Sequence, residues 1–436
     1  MVISVHGLAA ALQTLLGEGA DKAGKEVGFS VRKRKITGAG FVQALVLGWL
    51  SRPFATLDDL AAPLDVRVQS LHQRFNARAV ALLQRVLAAM LELLFQARPE
   101  TIPLLRRFSE VCIEAATSIA LPASLADAFP GCGGPDQTGK ASLKLLAQLE
   151  AITGRVRVAG PVAGRASDHA LHAEVPTPPP GSLRLVDLGF FDLERMAEDT
   201  RREVHWISRV PARLTIRVDG GPPSDLAGWL SRCKADRLDV MATLGTKDKL
   251  DCRLVAVRVP KEVAERRLER LRKKLKKKGR KLSAAQRALC EWTVMVTNLL
   301  DANLFTEEQL WVLYRVRWQV ELLFKRWKSG GGLAFSRGRS PNRALCEFLA
   351  KLMAALIKQW ATLLRGGPLS VVSAAGAAKR VMLWADRLAE AVARGSREAI
   401  IEVLQRLKKN LDGLPKRARR ARRTTRQTLF APRFTT

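Results

Sequence analysis

The stretch "SLRLVDLGFFDLERMAED", residues 182–199, constrains the fold more than any other part of the chain. An apolar strand runs into Asp187, a Gly turn follows at once, and Asp192 stands where it can cap a helix. The neighbouring text agrees. "EVCIEAATSIALP" has the continuous apolar centre of a buried strand, "GRVRVAGPV" alternates, and "EVHWISRV" and "EWTVMVTNLL" read as two more strands. Strands followed by helices in mixed order predict an α/β fold. A carboxylate at the C-terminal end of a strand lies where open α/β sheets assemble their sites, which makes Asp187 a candidate functional residue. The plain alternative is that Asp187 only caps the turn, and Asp192 is a near rival that reads better as a helix N-cap.

Around this core the texture divides. Residues 1–100 read as a helical domain. Within it "TLDDLAAPLDVRVQSLHQRFNARAVALLQRVLAAML" predicts two short helices and a long one, opened by a capping box of Thr56 and Asp59. Leu57, Leu60, Ala61 and Leu64 form one apolar face, and Val68, Leu71 and Phe75 resume it after "DVR". That pattern is helix-turn-helix-like, with Arg67, Gln69, His72, Gln73 and Arg74 left to face outward, toward DNA. Residues 101–209 and 291–365 hold the two parts of the α/β core. Between them, 210–290 carries the strand-like runs "ARLTIRVDG", "LDVMATLG" and "LDCRLVAVRV", then the basic helical run "RRLERLRKKLKKKGRK". Residues 366–436 read as helical, ending in the basic tail "LPKRARRARRTTRQTLFAPRF".

Charge narrows the partners. Lys and Arg number 73 against 41 Asp and Glu, a net +32, far beyond what solubility requires. The cations are spread through every segment instead of lining one amphipathic anchor, so nucleic acid is favoured over a membrane surface. Eight Lys and Arg fall within residues 272–281 and repel one another unless phosphates counter them. Six scattered cysteines, with no CxxC pair, suggest neither zinc nor a disulfide framework. The start, "MVISVHGLAAALQTLLGEG", has no basic n-region, and "ALCEFLAKLMAALIKQWATLL" carries Glu347, Lys351 and Lys358 on one helical face. It reads as an amphipathic core helix, not a membrane span.

The sharpest chemistry lies in "YRVRWQVELLFKRWKSG", residues 314–330. At 100° per residue Tyr314, Arg317, Glu321 and Lys328 share an arc of roughly 60°. Val316, Val320, Leu323 and Trp327 cluster on a second, apolar face. The bland reading pairs Glu321 with Arg317 or Lys325 one turn away, worth about 0.2–0.5 kcal/mol. The sharper reading is a carboxylate ringed by Tyr, Arg and Lys where a divalent metal meets phosphate oxygens, since hard cations take oxygen ligands.

The spacing Tyr314, Arg317, Glu321, Lys328 resembles the Y-R-E-K signature of a branch of bacterial insertion-sequence transposases, of the DDE cut-and-paste type. "DLGFFDLE" resembles the second-Asp strand and turn of that family, and "EWTVMVTNLL" the strand before its Glu helix. The likeness runs over roughly residues 50–365. It implies an RNase H-like mixed-sheet catalytic core, a β-rich insertion domain between Asp187 and Glu321, and helical terminal regions. It also implies that Asp187 and Glu321 bind two Mg²⁺ ions, with Mn²⁺ able to substitute, for hydrolysis and strand transfer. Tyr314, Arg317, Lys325 and Lys328 would hold the DNA backbone. Trp318 and Trp292 would stack on or displace a flipped base, with core packing the competing account, and Arg209 would touch DNA. The implied partners are double-stranded terminal inverted repeats and target DNA, bound by a homodimer in a bacterial cytoplasm, at the nucleoid.

One member of the triad is missing. The family's first Asp stands two residues before a Thr at the end of the first core strand; here Thr117 points back to Ala115, whose methyl cannot bind metal. Glu114 is adjacent, but successive strand side chains face opposite ways. Three explanations stand: an Asp replaced to trap a DNA complex, a decayed or domesticated copy, or a misplacement of the motif on the strand. With the rest of the site intact, replacement is preferred. The expectation is a transposase that binds its DNA ends and cleaves them poorly or not at all. The alternative is a non-enzymatic, sequence-specific DNA-binding protein.

Overall fold

The computed structural model describes residues 4–30, 35–92, 103–132, 140–168, 171, 174–211, 213–246, 249–276, 279–330, 332–365 and 374–415. The basic tail after residue 415 and two lysines of the 272–281 run lie outside them.

The strand runs come together as one ten-stranded sheet in the order β3-β2-β1-β4-β5-β10-β9-β8-β6-β7. The first half holds β1 (Val111–Leu121), β2 (Ala141–Glu150), β3 (Val156–Ala163), β4 (Leu183–Val186) and β5 (His205–Arg209). β2 lies antiparallel to β1 and β3, whereas β1, β4 and β5 run parallel. This is the mixed order of an RNase H-like core. β10 (Trp292–Thr297) pairs antiparallel with β5 on one side and with β9 (Leu250–Arg258) on the other. Through β9 the segment 210–290 extends the same sheet with β8 (Arg237–Leu244), β6 (Thr215–Val218) and the short β7 (Ser224–Asp225).

Period two along β1 and β4 decides what each face meets. Val111, Ile113 and Ala115 of β1, with Leu183 and Leu185 of β4, join a large apolar cluster shared with the terminal helices. In that cluster lie α1 (Val5–Leu16), α2 (Glu18–Glu26), α3 (Gly38–Ser51) and α6 (Ala77–Glu92), the last preceded by the short α4 (Leu57–Ala61) and α5 (Val68–His72). The opposite face packs Val186, Trp206, Leu254 and Trp292 into a second core. It is covered there by α7 (Leu193–Arg201) and α8 (Leu226–Arg232). Beyond β9 come the basic α9 (Lys261–Lys276) and α10 (Ala284–Cys290).

The capping box at Thr56 is present, with the Asp59 side chain accepting from the Thr56 N–H and the Thr56 hydroxyl accepting from the Asp59 N–H. Leu60, Ala61, Leu71 and Phe75 are buried as the pattern requires, whereas Leu57 and Leu64 are half-buried and Val68 is exposed; Arg67, Gln69, His72 and Gln73 are exposed. Arg74 departs from the expectation. Its guanidinium lies over the Phe29 ring at 4.2 Å and donates to the Phe29 carbonyl at 2.9 Å, so it braces the helical domain instead of facing out.

Residues 314–330 are not one helix. α11 (Glu307–Arg315) ends, the chain turns tightly through Val316 and Arg317, α12 (Trp318–Lys325) follows, and a wider π turn covers Arg326–Gly330. The N–H groups of Val316, Arg317 and Gln319 each bond three residues back, which tightens the winding between the two helices. The apolar face survives this break, because Val316, Val320, Leu323 and Trp327 are all buried.

The next helix, α13 (Pro341–Thr362), is core on nearly every side and has no polar face to solvent. Glu347, Lys351 and Lys358, expected to share one helical face, are 4%, 1% and 6% exposed. Lys351 donates to Glu347 at 2.7 Å and to the Phe335 carbonyl at 2.7 Å. The second Glu347 oxygen accepts from the Ser336 hydroxyl and the N–H groups of Arg337 and Gly338. Paired in this way, the charges are tolerated inside. Among the described residues no helix is long and apolar enough to cross a membrane. The chain closes with α14 (Ala374–Leu383), α15 (Ala385–Ala393) and α16 (Arg397–Asp412).

Candidate active site

The strand end and the broken helix meet at one guanidinium. Arg317 reaches Glu321 at 2.8 Å, one turn on, and Asp187 at 3.7 Å. Two carboxylates 134 positions apart in the chain are thus held together by the cation between them. Arg317 keeps only 11% of its side-chain surface exposed, whereas Asp187 and Glu321 keep 40% and 36%. Burial pulls the Arg317 pKa down, but Asp187, Tyr314 and Glu321 outweigh it and leave the group raised. It is a fixed positive charge.

Tertiary hydrogen bonds fasten both ends of the helical stretch to the strands that carry the site. The Tyr314 hydroxyl donates to the Val186 carbonyl at 3.2 Å, one residue before Asp187. Lys328 donates to the Ser118 carbonyl of β1 at 2.8 Å. Burial pushes the Tyr314 phenol up to about 12, Arg317 opposing and Asp187 adding to the rise. Burial also lowers the Lys328 pKa. The π turn brings Lys328 onto β1 in a way that regular helical spacing does not describe.

Asp187 makes no side-chain cap to the turn after it, while Asp192 accepts from the Arg195 N–H and caps α7. The two aspartates therefore differ in local role. Arg209 ends β5, exposed; the pairing of Val186 with Ser208, carried one residue on, sets it beside Asp187. Lys325 is exposed on α12, and Trp318 is 55% exposed. Trp292 is different. It is 3% exposed in the second core, with the Arg258 guanidinium 4.4 Å over its ring, so it has no free face on which to stack a base.

The β1–β4 register pairs Val111 with Leu183 and Ile113 with Leu185. Continued by two residues, with Asp187 in an extended backbone, it sets Ala115 beside Asp187 on the same face. Ala115 is 8% exposed. The pairing of β1 with β2 runs without a shift from Cys112 to Leu121, so no bulge turns Glu114 toward the site. Glu114 instead lies under the sheet, 1% exposed, accepting from Gln148 at 2.9 Å and 3.9 Å from Arg184. Arg184 pairs in turn with Asp199, whose pKa burial raises to about 6 against the pull of Arg184 and Arg195. This buried charge layer ties β1, β2, β4 and α7 together beneath the site. Alternation marked Glu114 as facing away, but nothing in the sequence named its partners.

Strands and helices in this order, with carboxylates at a strand end and on a helix, are those of an RNase H-like fold. Residues 109–357 match the family model described as a transposase DDE domain, and the chain belongs to that family. Among curated relatives it is 26% identical to the transposase for insertion sequence element IS231F of Bacillus thuringiensis subsp. israelensis over 362 residues, covering 77% of this chain and 75% of that one. It is 25% identical to the transposase for IS231B of Bacillus thuringiensis subsp. berliner, over 94% of this chain and 91% of the relative. The transposase for IS1151 of Clostridium perfringens is 24% identical, over 77% and 76%. At the family level the chain is a DNA transposase, an enzyme of a class that uses divalent metal ions.

The donor set does not suit a pair of such ions. Two carboxylates are present and both are engaged by Arg317, while the position beside Asp187 offers the methyl of Ala115. Among the described residues no three His, Cys, Asp or Glu side chains are grouped to hold a metal.

Proposed function

We propose that this chain is an insertion-sequence transposase that binds the terminal inverted repeats of its element and is impaired in cutting them. The observation that carries the reading is the convergence of Asp187, Arg317 and Glu321 beside a strand position occupied by Ala115. In the active form of such a site, carboxylates from β1, β4 and α12 would share Mg²⁺ or Mn²⁺ for phosphodiester hydrolysis and strand transfer. Here the residues left to act are those that bind. Arg317 is a fixed cation, and Tyr314, Lys325, Lys328 and Arg209 flank it as phosphate and sugar contacts. Trp318 offers an exposed ring to an unstacked base. The basic α9 and the outward face of α4–α5 extend the contact along the duplex. A homodimer would hold the two ends together.

A second reading, a non-enzymatic DNA-binding protein on this fold, is favoured by the same alanine. One experiment separates them. Footprinting and cleavage on candidate inverted repeats are run with the chain as given and with Ala115→Asp, in Mg²⁺ and in Ca²⁺. The expected result is protection of the ends by both chains, at salt high enough to suppress the nonspecific attraction of a +32 protein, and cleavage by the variant in Mg²⁺ alone. Protection without cleavage by the variant supports the second reading. Strong cleavage by the chain as given refutes the proposal.

A further inference from the structure

The start of α11 is gripped by side chains from a distant part of the chain. Arg253 of β9 is 2% exposed, and its guanidinium is held by both oxygens of Asp239 on β8, at 2.6 and 2.5 Å. Its remaining donor points at the carbonyl of Phe305, the residue before the Thr306 N-cap of α11, at 2.6 Å. Arg237, also on β8, donates to Glu307 at 3.1 Å and to Glu308 at 2.8 Å in the first turn of the same helix. From the other side the Phe305 ring stacks on Phe108 at 5.4 Å, just before β1. Arg107 lies 5.2 Å over the same ring and donates to the Leu304 carbonyl. α11 then runs nine residues to Arg315, delivering Tyr314 to Val186 and leading directly into Arg317 and Glu321.

We infer that Arg253 and Asp239, assisted by Arg237, are positioning residues that set the axial placement of α11 and hence of Tyr314, Arg317 and Glu321 against the end of β4. A planar guanidinium bound along one edge by both oxygens of one carboxylate has little freedom left, so its third contact fixes the Phe305 carbonyl in space. A helix is stiff along its axis, and a displacement at Phe305 arrives undiminished at Tyr314. The segment 210–290 thereby acts on the site through α11. The structural consequence stands on the contacts alone; its catalytic consequence rests on the function proposed above.

Tyr314 supplies a clean reporter, because it is the only tyrosine in the chain. The protein labelled with fluorotyrosine has one fluorine NMR resonance from this position, and its phenol can be titrated by near-ultraviolet difference absorbance in unlabelled protein. Arg253→Met and Asp239→Asn are expected to shift that resonance and to lower the Tyr314 midpoint as the ring loses the burial that raises it, with the circular dichroism of the fold retained. Arg258→Met serves as the control. It removes an arginine of the same strand that pairs with Asp236 and Glu291, away from α11, and should leave Tyr314 unmoved. If Arg253→Met does not fold, Arg237→Ala decides the matter, since that arginine is 57% exposed and its loss should be tolerated. In the Ala115→Asp background, Arg253→Lys should cut the cleavage rate about 100-fold and weaken the footprint by much less, as expected of a misplaced catalytic group. An unmoved Tyr314 signal in folded Arg253→Met and Arg237→Ala overturns the inference. Absence of cleavage by Ala115→Asp itself would count against the proposed function and leave the Tyr314 measurement standing.

Discussion

Restoring a carboxylate at position 115 has a calculable effect before any DNA is added. Neighbouring strands lie about 4.8 Å apart, so an aspartate in register with Asp187 places the two charges about 5 Å from each other. At an effective dielectric constant of about 20 their repulsion is about 3 kcal/mol, and solvent screening of the 40%-exposed Asp187 brings it to about 1–2 kcal/mol. Arg317 is already shared between Asp187 and Glu321, so its single charge is divided before a third anion arrives. Ala115→Asp should therefore be less stable than the chain as given in metal-free buffer near neutral pH. The deficit should shrink as acid protonates the new group. A divalent ion at 100 times its dissociation constant returns about 2.7 kcal/mol, more than the deficit. Melting curves in EDTA, Mg²⁺ and Ca²⁺ test this directly. The variant should gain stability with either ion and the chain as given should not. Equal responses of the two chains to Mg²⁺ would refute the argument that Ala115 is what keeps the donor set incomplete.

The two tryptophans should separate stability from binding. Trp318→Ala, at an exposed ring, should change stability by less than about 0.5 kcal/mol and weaken end binding in a footprint, whereas Trp292→Ala should cost about 3–5 kcal/mol by denaturant titration. Arg317→Met leaves Asp187 and Glu321 facing each other without their cation; it should cost about 1–2 kcal/mol after allowance for exposure, and should abolish end binding more completely than Lys325→Met. Burial lowers Lys358 to about 8 from 10.5, so the unfolded chain holds its proton more tightly. Its destabilising effect is fully present below pH 8, and stability should rise between about pH 8 and 10.5. Lys358→Met should flatten that slope.

Local chemistry was legible in the letters because it depends on near neighbours. The capping box at Thr56, the cap at Asp192 and the strands on either side of Asp187 are each specified within a few residues. So was the opposite facing of Glu114 and Ala115, since alternation along a strand follows from the pleat alone. The apolar face through Val316, Val320, Leu323 and Trp327 was equally plain, and it survived even where the helix did not.

Only the tertiary structure decided the rest. The break at Val316–Arg317 and the π turn around Lys328 arise where Tyr314 and Lys328 are each tied to a different strand, a competition between local winding and distant hydrogen bonds that no periodicity encodes. Glu347 and Lys351 were read only as sharing one face of an amphipathic core helix; that face is inside because they reach each other and the backbone of residues 335–338. Trp292 is core and Trp318 is not, a difference set by which sheet face and which helix end they occupy. The grip of Arg253 and Asp239 on α11 joins residues 52 and 66 positions apart from Phe305. Partners that far along a chain are chosen by how its sheets and helices pack, and that choice belongs to the whole fold.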